Sequence, residues 1–177
     1  MNLILKTKRL TLRALTFSDA DAMFKMDNNP NVHNYLGKKP IQTMEECSDS
    51  IGEIRNQYIK NKIGRFAVVL TETNEVIGWA GLKFVTEPEN ELVNFYDIGY
   101  RLQEEYWGNG YAQEAAKAWL DYGFFKLKKG TIYASAHVEN RSSRKILEKI
   151  GMQLKTEYMW EDTPCVWFEL NKYDYNK

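Results

Sequence analysis

The 177-residue chain has few of the residues that build covalent or metal-bound frameworks, with only two cysteines and two histidines. Two thiols, those of Cys47 and Cys165, exclude a multi-disulfide scaffold and a four-cysteine zinc site. His33 and His137 have no further ligand types at metal-binding spacing. We therefore expect no metal site.

A net charge and long apolar runs are also missing. Lys plus Arg total 24 and Asp plus Glu total 24, so no overall field favours nucleic acid or an anionic membrane. No apolar stretch reaches membrane-spanning length, and the first residues lack the pattern of a signal peptide. With 44% hydrophobic and 27% charged residues, we expect a single domain over 1–177, located in the cytoplasm without a direct nucleic-acid or membrane partner.

The patterning that is present predicts alternating strands and helices. Strands are predicted at 9–15, 65–71, 76–85, 92–102, 130–137, 153–161 and 164–170. Capping residues and apolar spacings of three and four predict helices that directly follow Ser18, Thr43, Gly110 and Asn140. The third helix is predicted to run to about Lys126 and to bury Ala115, Ala118, Trp119, Tyr122 and Phe125. The order β-α-α-β-β-β-α-β-α-β-β predicts an α/β fold around a mixed sheet.

The most informative stretch joins the strand that ends at Leu102 to the helix that begins at Tyr111. Glycines at 108 and 110 permit positive φ angles and close approach of a ligand. The helix N-terminus behind them offers free N–H groups and partial positive charge, which together favour a phosphate. A glycine turn that only caps the helix fits the spacing equally well. The stretch is neither a P-loop nor a dinucleotide fingerprint, because Gly-Lys-Ser/Thr is missing and Gln113 replaces the third glycine.

This stretch resembles motif A of the GNAT superfamily, Gln/Arg-x-x-Gly-x-Gly/Ala. Gly110 and Ala112 match its last two positions, and Trp107 stands where Gln or Arg is usual. The run Tyr-Trp-Gly-Asn-Gly-Tyr-Ala-Gln-Glu-Ala looks like the RimJ/RimL-type branch. The predicted element order is also that of the family, so the resemblance extends over essentially the whole chain. It implies the GNAT fold, with six to seven strands, about four helices and a splay between the fourth and fifth strands.

The resemblance implies acetyl-CoA as co-substrate, without a metal. The implied coenzyme A contacts are Ile98, Gly99, Tyr100, Arg101, Leu102, Trp107, Gly108, Asn109, Gly110, Tyr111, Ala112, Gln113, Asn140 and Ser143. The first five of these would pair with the pantetheine arm along a splayed strand, and 109–113 would hold the pyrophosphate. For Gly99, close packing against a helix is the alternative explanation of a glycine in mid-strand.

Two residues are predicted to transfer protons. Asp97 could accept a proton from the attacking amine, directly or through water, although an ion-pair role fits it equally. Ser143 shares an apolar helix side with Leu147 and Ile150, where a hydroxyl needs a partner. The resemblance implies donation from Ser143 to the departing thiolate, with a structural serine as the alternative. Leu147 replaces the tyrosine of many family members, and a thiolate with a thiol pKa of about 8.5 also leaves unassisted.

The remaining candidates concern a catalytic histidine and the acceptor groove. His137 is interpreted either as a catalyst or as a residue that shapes its loop. The segments that surround the acceptor in this fold carry Tyr35, Trp79, Tyr96, Trp160 and Trp167. An acidic groove for a polycation could come from Glu45, Glu46, Asp49 and Glu53, which otherwise form the wet face of their helix.

The resulting hypothesis is an N-acetyltransferase in which a primary amine attacks acetyl-CoA directly, so that neither cysteine is needed. The expected acceptor is a protein N-terminal α-amine, with a small amine such as a polyamine or an aminoglycoside as the alternative. From a different class, a non-catalytic acyl-CoA-binding module also fits. We expect a monomer or a homodimer.

Overall fold

A computed structural model describes residues 3–37 and 39–175. Its strands form one eight-stranded sheet in the order β1-β2-β3-β4-β5-β6-β8-β7. Their bounds are β1 (Ile4–Lys6), β2 (Leu10–Ala14), β3 (Arg65–Leu70), β4 (Val76–Val85), β5 (Phe95–Leu102), β6 (Thr131–His137), β7 (Gln153–Trp160) and β8 (Thr163–Asn171). Neighbouring strands are antiparallel except β5 and β6, which run parallel.

Helices cover both faces of the sheet. They are α1 (Ala20–Asp27), α2 (Met44–Asn61), α3 (Tyr111–Asp121), α4 (Arg141–Lys149) and α5 (Lys172–Tyr175). Buried residues of α1 and α2 pack with Ala67 and Val69 of β3, whereas those of α3 and α4 pack with Phe66 and Val68. Successive strand residues point to opposite faces, so these pairs define an α1 face and an α3 face. None of the helices in the described part of the chain is long and apolar enough to span a bilayer.

The predicted α/β fold with a mixed sheet is confirmed, and the counts need correction. The sheet has eight strands instead of six to seven, and a fifth helix follows β8. The additional strand, β1, has three residues, which is too short to show a period of two. It forms by pairing with residues 11–13 of β2.

The first helix begins differently from the prediction. Thr16, instead of Ser18, precedes a 3-10 turn over Phe17–Asp19, and α1 follows it. The Asp19 carboxylate accepts hydrogen bonds from the Thr16 backbone at 2.8 Å and from two Arg13 nitrogens at 2.8 and 2.7 Å. Burial would raise the pKa of Asp19, but these hydrogen bonds lower it below its usual value.

The third helix changes its geometry before its predicted end. The α-helix stops at Asp121, and a π-helical turn continues over Tyr122–Lys126. A π-turn adds a residue per turn and rotates the side chains that follow it. As a result Phe124 is fully buried, while Phe125, which was predicted to be buried, is 47% exposed.

The chain between β4 and β5 is a loop over residues 86–94, part of which was predicted as strand. Asn90, Glu91 and Asn94 adopt positive φ angles there, which an extended strand does not allow. An isolated bridge joins Glu89 to Leu92. The loop extends towards β7, where Glu89 contacts Tyr158.

Candidate active site

The two parallel strands at the centre of the sheet separate along their length. β4 and β5 pair at eight positions, whereas within the described strands β5 and β6 pair only at Asp97 and Tyr133. Residues 98–102 of β5 therefore face a gap on the β6 side, as the predicted splay requires. A gap of this kind leaves backbone N–H and C=O groups that an extended ligand can pair with.

The loop that follows β5 is held open by two glycines. Gly108 has a φ of +77° and Gly110 a φ of +80°, values that are strained for residues with a Cβ. Gly110 is the N-cap of α3 and has no side chain to cap it, whereas Thr43 and Asn140 cap their helices through side-chain oxygens. The first N–H groups of α3 are consequently free of a side-chain cap, which is the arrangement expected of an anion site.

Arg9, which sequence reasoning missed, fixes this loop from the start of β2. Its Nη1 donates to the Asn109 carbonyl at 3.0 Å, and its Nε donates to Glu114 Oε2 at 2.7 Å. The guanidinium also lies 4.4 Å from the centre of the Tyr111 ring. Burial would raise the pKa of Glu114, but the hydrogen bonds from Thr7 and Arg9 lower it. The positive charge of Arg9 thus offsets the negative charge of Glu114, which lies beside the loop where an anion is expected to bind.

Trp107 closes the turn between β5 and the loop. Its indole Nε1 donates to the Leu102 carbonyl at 2.8 Å, while the ring is 46% exposed. The side chain of Asn109 donates in turn to the Trp107 carbonyl at 3.1 Å. The residue at the Gln/Arg position of the motif therefore shapes the loop through an indole hydrogen bond.

Asp97 lies on the α1 face and forms an ion pair with the Arg65 guanidinium. Arg65 Nη1 also donates to the Asp97 carbonyl at 3.0 Å, and it contacts the Gly81 carbonyl. The guanidinium crosses Gly99 so closely that a Cβ there would lie 2.7 Å from Nη2. Gly99 accordingly makes room for the Arg65 side chain, and not for a helix. Burial raises the pKa of Asp97, and Arg65 opposes that rise.

Ser143 and Tyr100 meet on the α3 face. The Tyr100 hydroxyl donates to the Ser143 carbonyl at 3.0 Å and lies 3.3 Å from Ser143 Oγ. The Asn140 side chain caps α4 by accepting from the Ser143 N–H at 3.0 Å. Burial raises the pKa of the Tyr100 phenol, so it remains a neutral donor. The partner that a half-buried Ser143 hydroxyl requires is therefore this phenol.

His137 contacts Tyr35 at the end of β6. Their ring centres are 5.4 Å apart, and His137 Nδ1 accepts from the Glu139 backbone at 3.1 Å. The contact fits the loop-shaping interpretation of His137. Tyr35, which is 38% exposed, reaches β6 from the segment between α1 and α2.

Of the other aromatic and acidic candidates, some pack against neighbouring side chains and the rest are exposed to solvent. Trp79 lies between two guanidiniums, 5.3 Å from that of Arg65 and 5.2 Å from that of Arg101. Trp167 is buried, whereas Trp160 is 40% exposed on β7. Tyr96 packs against Phe84. The four acidic residues of α2 are exposed, as expected of the wet face of that helix.

A second carboxylate on the α1 face was also missed. Glu89, in the loop between β4 and β5, accepts a hydrogen bond from the Tyr158 hydroxyl at 2.5 Å. Glu89 falls between the strands predicted at 76–85 and 92–102, and nothing in the sequence of this loop indicates a contact with residue 158. Within the described residues, no group of three or more His, Cys, Asp and Glu side chains is placed to hold a metal ion.

Comparison with known proteins gives one consistent family. A model described as an acetyltransferase (GNAT) domain matches residues 9–153. The uncharacterized N-acetyltransferase p20 of Bacillus licheniformis is 33% identical over 149 residues, which cover 84% of this chain and 82% of the relative. The spermidine N(1)-acetyltransferase of Escherichia coli is 29% identical over 150 residues, covering 85% and 76%. A solved structure of RimL, a ribosomal α-N-protein acetyltransferase in complex with coenzyme A, covers 96% of this chain and 98% of its own, with a TM-score of 0.80 at 16% identity, a likeness of fold.

Proposed function

The chain belongs to the GNAT acetyltransferases, and we propose that it moves an acetyl group from acetyl-CoA to a primary amine within one ternary complex. Enzymes of this family use acetyl-CoA and act on an amine acceptor. The observation that carries the proposal is the separation of β5 from β6 beyond Asp97, which leads directly into the loop at Gly108 and Gly110. A strand with unpaired backbone groups and an uncapped helix N-terminus suit the two ends of an extended, phosphate-bearing thioester.

In this proposal coenzyme A contacts the sequence-predicted residues in two groups. The first N–H groups of α3, at Tyr111, Ala112 and Gln113, bind the pyrophosphate, and Arg9 holds the loop in place through Asn109. Residues 98–102 pair with the pantetheine arm. Backbone N–H groups of β5 stabilise the negative charge that develops on the thioester oxygen.

Ser143 keeps its predicted role as proton donor to the departing thiolate. Its hydroxyl lies 3.3 Å from the Tyr100 hydroxyl, so the phenol can orient the serine and share its proton. Asn140 fixes the first turn of α4 and thereby the position of Ser143. Because holding both reactants in one site supplies much of the rate, no covalent enzyme intermediate is required.

For Asp97, the contacts favour the ion-pair role over the general-base role. Arg65 engages both the side chain and the carbonyl of Asp97. A guanidinium this close stabilises the ionised carboxylate and reduces its affinity for a proton. We therefore assign Asp97 to anchoring Arg65 across Gly99, beside the point where β5 and β6 separate.

The acceptor class is tested directly by a screen with free-thiol detection. Peptides with different N-terminal residues and small amines, including spermidine and an aminoglycoside, are compared at fixed acetyl-CoA concentration. Thiol release with peptides supports the RimJ/RimL-type assignment, and release with polyamines supports the activity named for the relative from E. coli. Coenzyme A binding without acetylation of any amine would contradict the proposal and favour a non-catalytic acyl-CoA-binding module.

A further inference from the structure

We propose that Glu89 is the general base of this site, held by Tyr158, and that it takes the proton from the acceptor ammonium. The inference rests on the proposed acetyl transfer and extends it to a residue outside the family motif. Glu89 lies in the loop over residues 86–94, and its Oε1 accepts the Tyr158 hydroxyl hydrogen at 2.5 Å. A carboxylate has two oxygens and about four acceptor positions, so this bond leaves Glu89 able to accept from an amine.

The position of Glu89 follows from the register of three strands. Tyr133 pairs with Asp97 at the last point of contact between β5 and β6. Ser135 is two residues further along β6 and is therefore on the same face as Tyr133. It lies at the vertex of the splay, the point at which β5 and β6 begin to separate. It is exposed, and its hydroxyl interacts with both Glu89 and Tyr158. The carboxylate therefore lies on the α1 face beside the vertex, opposite the Ser143–Tyr100 pair on the α3 face.

The charges around the two carboxylates differ in a way that suits Glu89 for proton uptake. Asp97 is bound by Arg65, whereas the closest hydrogen-bond partner of Glu89 is a neutral phenol. Burial raises the pKa of Glu89, a hydrogen bond from Tyr158 lowers it, Asp97 raises it and Lys83 lowers it. Tyr133, His137, Cys165 and Glu169 also lie on this face. Burial and the nearby Glu89 carboxylate raise the pKa of the Cys165 thiol. Burial raises the pKa of Asp97 as well, so what distinguishes the two carboxylates is the partner. Asp97 is held in an ion pair, whereas Glu89 is held by a neutral donor and can accept a proton without breaking an ion pair.

The proton steps balance with the residues on the two faces. Glu89 removes one proton from the ammonium, and the neutral nitrogen then attacks the thioester carbon. As the N–C bond forms and the C–S bond breaks, the sulfur leaves with the electron pair. Ser143 gives its proton to that sulfur and recovers one from the nitrogen through the Tyr100 hydroxyl or water. Glu89 returns its proton to solvent at the exposed side of Ser135.

The test measures kcat/KM against pH with the best amine from the screen. Glu89→Gln should lower kcat/KM by roughly 10²–10⁴, the range for loss of a general base, with acetyl-CoA affinity unchanged by calorimetry. Tyr158→Phe removes a hydrogen bond that stabilises the ionised carboxylate. It should therefore raise the pKa of Glu89 and move the acidic limb of the profile to higher pH. Glu87→Gln, two residues away in the same loop and exposed, is the matched control and should leave the profile unchanged.

The outcomes separate this inference from the proposed function. A Glu89→Gln enzyme within a few-fold of the wild type, with its acidic limb in place, would overturn the role of Glu89 while acetyl transfer stands. If Glu89→Gln does not fold, an acidic limb that Tyr158→Phe leaves unmoved would overturn it independently. A wild-type protein that binds acetyl-CoA and acetylates no amine would overturn both.

Discussion

Gly110 is a residue of the proposed coenzyme A loop at which substitution should be poorly tolerated. Its φ of +80° belongs to the left-handed region, so a β-branched side chain would strain this conformation. A Cβ there would also lie 3.5 Å from Nη2 of Arg9, the residue that fixes the loop. We expect Gly110→Val to weaken acetyl-CoA binding at least about tenfold, which corresponds to about 1.4 kcal/mol. Isothermal calorimetry measures this change, and circular dichroism checks that the fold is intact.

A second glycine provides the control for that measurement. Gly130 has open space around the position of a Cβ and no positive φ angle, so Gly130→Val should bind acetyl-CoA normally. Equal affinity of Gly110→Val and Gly130→Val would show that the pyrophosphate lies elsewhere.

Asp97 gives a prediction in which the pH dependence separates two roles. Asp97→Asn keeps the shape of the side chain but removes the charge that Arg65 binds. If Asp97 is an ion-pair partner, the substitution should lower the free energy of unfolding by about 1–3 kcal/mol. It should reduce kcat/KM by a constant factor at all pH values above the acidic limb, and the limb itself should move to lower pH because Asp97 no longer raises the pKa of Glu89. Denaturant unfolding and pH-rate profiles provide the two measurements. A loss of roughly 10²–10⁴ that shrinks as pH rises would instead identify Asp97 as the base.

Gly99 and its cross-strand neighbours show which contacts of single residues cannot be predicted from sequence. The pattern marked Gly99 as a position that needs space, but not the group that fills it. Arg65 is aligned with Gly81, and Gly81 with Gly99, in neighbouring strands. The guanidinium crosses both glycines to reach Asp97. Such a contact depends on the register of three strands, which local periodicity does not determine.

At the scale of elements, the turn before α1 predicts an acid-sensitive contribution to stability. The folded-state pKa of Asp19 is lowered, so its contribution is present above the unfolded pKa of about 3.9. It is lost as pH falls through the folded pKa. Asp19→Asn should therefore lower the free energy of unfolding by about 1–3 kcal/mol near neutral pH, and the difference from the wild type should disappear in acid.

Urea unfolding at several pH values measures that difference. Asp21→Asn, at an exposed position in the first turn of α1, is the matched control and should change stability much less. A deficit in Asp19→Asn that persists undiminished in acid would contradict the assignment to the carboxylate.

The elements that sequence reasoning predicted well are those with a long period or a strong cap. The capping box at Thr43 and Glu46 begins α2, and the alternation at Leu10 and Leu12 marks β2. The missed elements have other causes. β1 is a three-residue strand that exists only through its partner, and the π-turn after Asp121 changes the period within a continuous apolar run. Packing against neighbours, which the local pattern does not contain, decides both.

At the scale of the whole molecule, groups from distant parts of the chain meet around one gap. The proposed coenzyme A loop follows β5 and is fixed by Arg9, which is 100 residues away from Asn109. Glu89 and Tyr158 are 69 residues apart. The family resemblance predicted the loop from its motif and the splay from the order of the strands. It could not supply Arg9 or Glu89, whose roles arise from contacts between separate elements.

This arrangement predicts transfer without an enzyme-bound acetyl group. Cys47 is fully packed against α1, and burial raises the pKa of its thiol to about 11; burial also raises the pKa of Cys165. Neither thiolate forms readily near neutral pH, so neither suits a nucleophile. The double variant Cys47→Ala with Cys165→Ala should keep kcat within a few-fold and lose roughly 1 kcal/mol or more of stability from the cavity at Cys47. Steady-state kinetics should give intersecting lines, as a ternary complex requires. Parallel lines, or an acetyl-cysteine trapped on the wild-type enzyme and detected by mass spectrometry, would exclude direct transfer.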